Sequence, residues 1–171
     1  MKKSEKIRRK NKLKTVKNYR YLKYAQYACI LIIVLFLIYV VGLSSMYHQT
    51  YEELLSGNPL VITGFMICTA NLYVWWVLKH FNEDVLNLEH IESMRINLIV
   101  LAICQFFLMN FVSTILMILS LVKYFRWDQF SWKKSLRELK EDGQLSVLIT
   151  TLVVMLLFVA LVFTLLFAIK G

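Results

Sequence analysis

His80, Glu83, Asn87 and His90 follow one another at steps of three, four and three residues, the spacing that puts side chains on one stripe of a helix. Two imidazoles and a carboxylate so placed could bind zinc or pass protons at a membrane surface. The segment has no His-Glu-x-x-His pairing and no twin-aspartate pattern of a phosphotransferase. Phe81, Val85 and Leu88 also recur at i, i+4 and i+7, so the stripe reads first as the solvated face of a short amphipathic helix between Lys79 and Arg95. His80, Glu83 and His90 are the metal candidates this chain offers, and neither a metal nor another cofactor is expected.

Cys29, Cys68 and Cys104 lie at long spacings inside apolar runs, which excludes a disulfide framework and a Cys-x-x-Cys redox or zinc motif. The apolar run Ile30 to Val41 follows Cys29 rather than preceding it, so Cys29 is not the lipid-modified residue behind a signal peptide.

More telling are the uncharged polar residues within apolar stretches: Asn71, then Asn97, Gln105, Asn110, Ser113 and Thr114. Asn110, Ser113 and Thr114 share a helical face at i, i+3, i+4. An amide in hydrocarbon requires a partner, so this face is expected to pack on protein, with Asn71 a candidate partner, or else to line a path. Gly64 and Cys68 form a small-xxx-small pair beside Thr63, the pattern of a closely packed helix.

The elements that hold these residues are membrane spans. With 58% apolar residues in 171 and a mean hydropathy of +0.58, the chain is too hydrophobic for a small soluble domain. Four stretches free of Asp, Glu, Lys and Arg are long enough to cross: 25–47 (TM1), 59–78 (TM2), 96–122 (TM3) and 145–169 (TM4). Asn58 and Pro59 supply a cap and a first helical residue for TM2. TM3 is long for one crossing, which implies tilt or extension into the interface. In 123–144, Phe125, Trp132, Leu136 and Leu139 fall on one side of a helical wheel among six basic residues, and Gly143 is placed to end the helix. The expected fold is an all-α polytopic membrane protein: a basic arm over 1–24, then a four-helix domain over 25–171. One interfacial helix between TM3 and TM4 is anchored by Trp127, Trp132, Leu136 and Leu139.

Eleven of the 20 Lys and Arg precede residue 24. They place the arm in the cytoplasm, with Lys10, Lys12, Lys14, Lys17, Arg20 and Lys23 set to meet anionic headgroups. Tyr19, Tyr21, Tyr24 and Tyr27 cluster at the boundary as an interfacial belt rather than as base-stacking groups, so no nucleic acid is expected. The remaining charges conflict. Four crossings leave 14 basic residues inside and 6 outside, with the connector 123–144 on the wrong face, whereas a TM2 that enters and returns gives 17 and 3. Four crossings is nonetheless the reading adopted, because a re-entrant TM2 must hide its backbone polar groups in a small protein.

Spans without an ionisable residue argue against an ion-coupled transporter. Residue usage rich in Lys, Ile, Asn, Phe and Tyr is that of an AT-rich genome and points to a bacterial source. The expected function is non-enzymatic: an accessory, regulatory or immunity-type protein of the cell membrane that binds another membrane protein, or itself. The alternative is a subunit of a small oligomeric transporter or channel using the polar face of TM3.

Overall fold

The computed structural model describes residues 20–87, 91–124, 127, 131–141, 143 and 145–170. Among the described residues the helices are α1 (Arg20–Tyr47), α2 (Tyr51–Gly57), α3 (Pro59–Asn87), α4 (Ile91–Phe107), α5 (Phe111–Tyr124), α6 (Trp132–Glu141) and α7 (Leu145–Lys170). No strand occurs among the described residues. Three helices, α1, α3 and α7, are long and apolar enough to cross a membrane.

Local chemistry sets most boundaries. Thr50 and Glu53 form a reciprocal capping box that starts α2. Asn58 Oδ1 accepts from the backbone N–H groups of Leu60 (3.0 Å) and Val61 (3.4 Å), with Pro59 as the first residue of α3. Nothing between Leu78 and Asn87 breaks a helix, so α3 runs on to Asn87, into the segment expected to form a separate amphipathic helix, whose last residues from Ile91 belong to α4. Gly143, at φ +69°, follows the end of α6.

The largest departure concerns residues 96–122, expected as one span. The chain instead stops at Phe107, turns through Leu108, Met109 and Asn110, and returns as α5 packed against α4. Met117 and Leu101 are buried between the elements of this hairpin and the rest of the bundle. Both ends of the hairpin lie at one end of the molecule. Lys123 Nζ donates to Tyr21 Oη (2.9 Å) at the start of α1, and Ile96 packs with Leu139 of α6 and Leu148 at the start of α7. Asn82 near the end of α3 reaches Gln26 of α1 at the same level, 2.6 Å away.

Around α3, helix α1 packs on one side and α7 on the other; α5 lies against α1, and α4 against α7. The hairpin thus closes the angle between α1 and α7. Its reach is short. Ser113 meets Cys29, nine residues or about 14 Å along α1 from Arg20 and eighteen residues or about 27 Å from Tyr47. Beyond that level α1 has no buried residue, only half-buried ones on the side of α3. There the Phe36 ring lies over Gly64, so close that a Cβ at residue 64 would sit 2.8 Å from Phe36 Cδ2 and nearer still to Cε2.

A Gly64→Val substitution is therefore expected to lower stability by about 1–3 kcal/mol, as overpacking does. Phe36→Ala in the same chain should restore part of the loss. Thermal unfolding of the four proteins in detergent measures both effects, and a Gly64→Val protein as stable as the parent would show that the two helices do not meet there.

Candidate functional site

Five buried polar residues, Asn71, Gln105, Asn110, Ser113 and Thr114, converge on the hairpin tip. α4 ends in a Schellman motif: Met109, at φ 58°, donates its N–H to Phe106 O (3.0 Å), and Asn110 donates to Gln105 O (3.0 Å). Such a motif commonly carries an apolar contact between its first and last residues. Here a hydrogen bond between side-chain amides takes that place, Asn110 Nδ2 donating to Gln105 Oε1 (2.5 Å). Asn110 also begins α5 as its cap, since its Oδ1 accepts from Ser113 N (3.2 Å) and its carbonyl oxygen accepts from Thr114 N and from Thr114 Oγ1 (2.9 Å).

The tip is tied to both neighbouring long helices. Asn110 Nδ2 donates to Asn71 Oδ1 (2.6 Å) in α3, and Asn71 Nδ2 donates back to its own helix at Ile67 O (2.9 Å). Ser113 Oγ and Cys29 Sγ lie 3.4 Å apart, linking α5 to α1. Asn71, Gln105, Asn110, Ser113 and Cys29 are all buried. Asn71 stands twelve residues, about 18 Å, from Pro59, close to the middle of the span Pro59–Asn82. Gln105 Nε2 is buried with no hydrogen-bond partner among the described residues.

Apolar residues surround this cluster. Phe106 stacks edge-on with Phe107 and Phe111, and Phe107 reaches Phe163 of α7 at 6.2 Å. A groove of about 290 Å³ runs between α4 and α5 on the hairpin's outer face, lined by Ile99, Ala102, Ile103, Phe106, Thr114, Ile118 and Leu121. Its one hydroxyl, on Thr114, is already bonded to Asn110. This arrangement can hold a chain reversal in a dry environment; it presents no nucleophile paired with a base.

The other sequence candidates scatter. Gly64 faces α1, and Cys68 is buried. His80 is exposed, stacks on Trp76 at 4.5 Å and places Nδ1 3.0 Å from Trp76 O, a contact along its own helix. The side chain of Glu83, and His90 altogether, lie outside the described residues, as do Lys10, Lys12, Lys14 and Lys17. Arg20 and Lys23 are exposed. Among the expected anchors, Leu139 is buried in the bundle, whereas Trp132 and Leu136 are exposed at 55% and 47%. Trp127 folds back onto the hairpin, donating Nε1–H to Leu121 O (2.9 Å) beneath the guanidinium of Arg95. Three cross-links were not foreseen from the sequence: Cys29 to Ser113, Gln26 to Asn82, and Tyr73 to Thr151 at 3.1 Å. Met109 carried no signal either, because methionine is an uncommon residue at positive φ.

No family model matches the chain, and no curated protein or solved structure is significantly similar to it.

Replacing Asn110 by Leu removes the cap of α5 and leaves Ser113 N and the Asn71 and Gln105 oxygens buried without their donor or acceptor. The expected loss is about 2–4 kcal/mol. Asn71→Leu should cost less, because Asn110 keeps Gln105, and the two losses should not add. A double-mutant cycle on thermal unfolding reads this coupling; strict additivity would place the residues in separate environments. Met109→Gly relieves a left-handed residue at a solvent- or lipid-exposed position and should raise stability by about 1 kcal/mol.

Proposed function

We propose that this chain is a non-enzymatic accessory, regulatory or immunity-type protein that binds another membrane protein through its helices, and that it crosses the bilayer three times. In this reading α1, α3 and α7 cross, the α4–α5 hairpin dips to mid-depth, and α6 lies along the cytoplasmic surface. The observation that carries the non-transport reading is the pairing of polar groups. Asn71, Asn110, Ser113 and Cys29 are joined by hydrogen bonds, as are Tyr73 with Thr151 and Gln26 with Asn82, so most of these interior polar groups are used in holding helices together. A permeation path needs polar groups facing open space. The groove beside the hairpin is apolar. The alternative, an oligomeric transporter or channel subunit, is favoured by the buried polar atoms with no hydrogen-bond partner among the described residues: Gln105 Nε2, Asn82 Oδ1 and Ser120 Oγ.

Charge supports the three-crossing reading. With both ends of the hairpin on the side of the basic arm, the connectors 79–95 and 123–144 share that side. Nineteen of the 20 Lys and Arg then lie on the cytoplasmic face, and Lys170 alone lies opposite. The conflict of the four-crossing arrangement disappears. Nor does the hairpin need length to cross: its apolar segments Met94–Phe107 and Phe111–Lys123 are about 20 Å each, short of a hydrocarbon core of about 30 Å. The arm, with Arg20 and Lys23 at its membrane end, is placed to meet anionic lipid.

Sidedness is tested with single cysteines at Thr50 and Ser131 in a chain carrying Cys29→Ser, Cys68→Ala and Cys104→Ala. An impermeant maleimide should label Thr50 in intact cells and reach Ser131 only after permeabilisation; labelling of Ser131 in intact cells would defeat the three-crossing reading. For the function, cross-linking and purification from native membranes should yield a stoichiometric membrane-protein partner, and proteoliposomes of the purified chain should pass no more solute than empty ones. A self-assembled ring with measurable flux would decide for the channel subunit.

A further inference from the structure

The number of helices differs between the two ends of the molecule. At the level of Cys29 and Ser113 and below, toward Arg20, a plane across the bundle cuts α1, α3, α4, α5 and α7. Above the tip at Met109, toward Tyr47 and Pro59, it cuts, among the described residues, α1, α3 and α7. A helix with its side chains is about 10–12 Å across, so each occupies roughly 80–110 Å² of membrane plane. The hairpin therefore adds roughly 160–220 Å² to one leaflet and nothing to the other. α6 adds to the same side, packed on Ile96 and Leu148 with Lys133, Leu136, Arg137 and Lys140 turned outward. At the far end the counterpart is α2, a single helix of seven residues.

The packing agrees with this asymmetry. Every buried residue of α1, namely Leu22, Ala25, Ala28 and Cys29, lies on the hairpin's side of its midpoint. Val34, Leu35 and Ile38 beyond it are exposed. The hairpin is also fixed in depth. Its polar tip is bonded to Asn71 and Cys29, and its α5 end is held by Lys123 on Tyr21, while the Arg95–Trp127 contact ties its two open ends to each other. A wedge held at three levels cannot flatten to equalise the leaflets without breaking those bonds.

We infer that the protein is a fixed wedge that recognises a curved lipid surface, favouring bilayer whose leaflet on the side of Arg20, Lys123 and α6 is the expanded, convex one. The inference rests on the three-crossing reading. An inserted body that widens one leaflet lowers its own free energy where that leaflet is already stretched, as interfacial helices do by the same route. Here the basic stripe of α6 adds attraction to anionic headgroups on the same convex surface.

The test uses the full chain with a single cysteine at Ser131, in the background free of native cysteines, reconstituted in both orientations into giant vesicles of neutral and anionic phospholipid. An impermeant red dye first marks molecules whose α6 side faces out; a permeant green dye then marks those facing in. A membrane tube pulled outward from such a vesicle has its outer leaflet convex. The ratio of red to green on the tube should exceed that on the parent vesicle, and the excess should grow as the tube narrows. An equal ratio, or an excess of green, overturns the inference. A second cysteine chain with Thr50 labelled separates the two levels of failure. If Thr50 and Ser131 label from the same side, the crossing reading has failed and the wedge with it; if they label from opposite sides and the ratio is flat, the wedge alone has failed.

Discussion

A polypeptide that reverses direction in hydrocarbon must satisfy its own backbone polar groups, because no water is there to do so. In the proposed three-crossing arrangement that requirement falls on Asn110 at the tip of the α4–α5 hairpin. Its N–H closes the Schellman turn on Gln105, its carbonyl accepts from Thr114, its side-chain oxygen caps α5 through Ser113, and its side-chain nitrogen serves Gln105 and Asn71 together. One asparagine thus ends one helix, begins the next and binds the pair to α3. Met109 takes the left-handed conformation this needs, at a cost of about 1–2 kcal/mol.

From that turn the rest of the arrangement follows. Because the chain comes back, Lys123 returns to the level of Tyr21, at the end of the molecule where Arg20 and Lys23 stand. The angle between α1 and α7 is filled at one end and open at the other, so α1 has a tightly packed first third and a remainder whose closest contact is Phe36 over Gly64. Polar pairs stand at successive levels: Gln26 with Asn82 near the open ends of the hairpin, Cys29 with Ser113, and Asn71 with Asn110 at its tip. In low dielectric each such pair contributes little net energy, on the order of 0.6 kcal/mol, but an unmade one costs more, so the pairs fix register more than they add stability.

The helical class and the long spans are legible in the sequence because apolar runs and the Asn58-Pro59 start are local signals. The reversal is not, because apolar composition within 96–122 is the same whether the chain continues or turns. Two hints exist there. The run is longer than one crossing needs, and a continuous crossing puts the six basic residues of 123–144 on the disfavoured face. Charge indicates that one apolar segment returns without naming it, and TM2 is the weaker suspect, since Asn58, Pro59 and Trp76 mark both its ends. Asn110 three residues before Ser113 has the spacing of a helix cap, yet the same residues fit one face of an unbroken helix. Backbone geometry at Met109 separates the two readings, and no side-chain pattern encodes it. The recurrence of Phe81, Val85 and Leu88 predicts a separate amphipathic helix between Lys79 and Arg95; instead α3 continues as far as Asn87 and α4 begins at Ile91, since helix propagation needs only the absence of a breaker.

The bonds at the hairpin tip also have an order in time. Asn110 and Ser113 find their partners in Cys29, Asn71 and Gln105, all earlier in the chain, and none of these bonds involves α7. During synthesis every polar group that the tip must satisfy is therefore already in the bilayer when α5 leaves the ribosome. The last span can follow without having been needed as a chaperone for the turn.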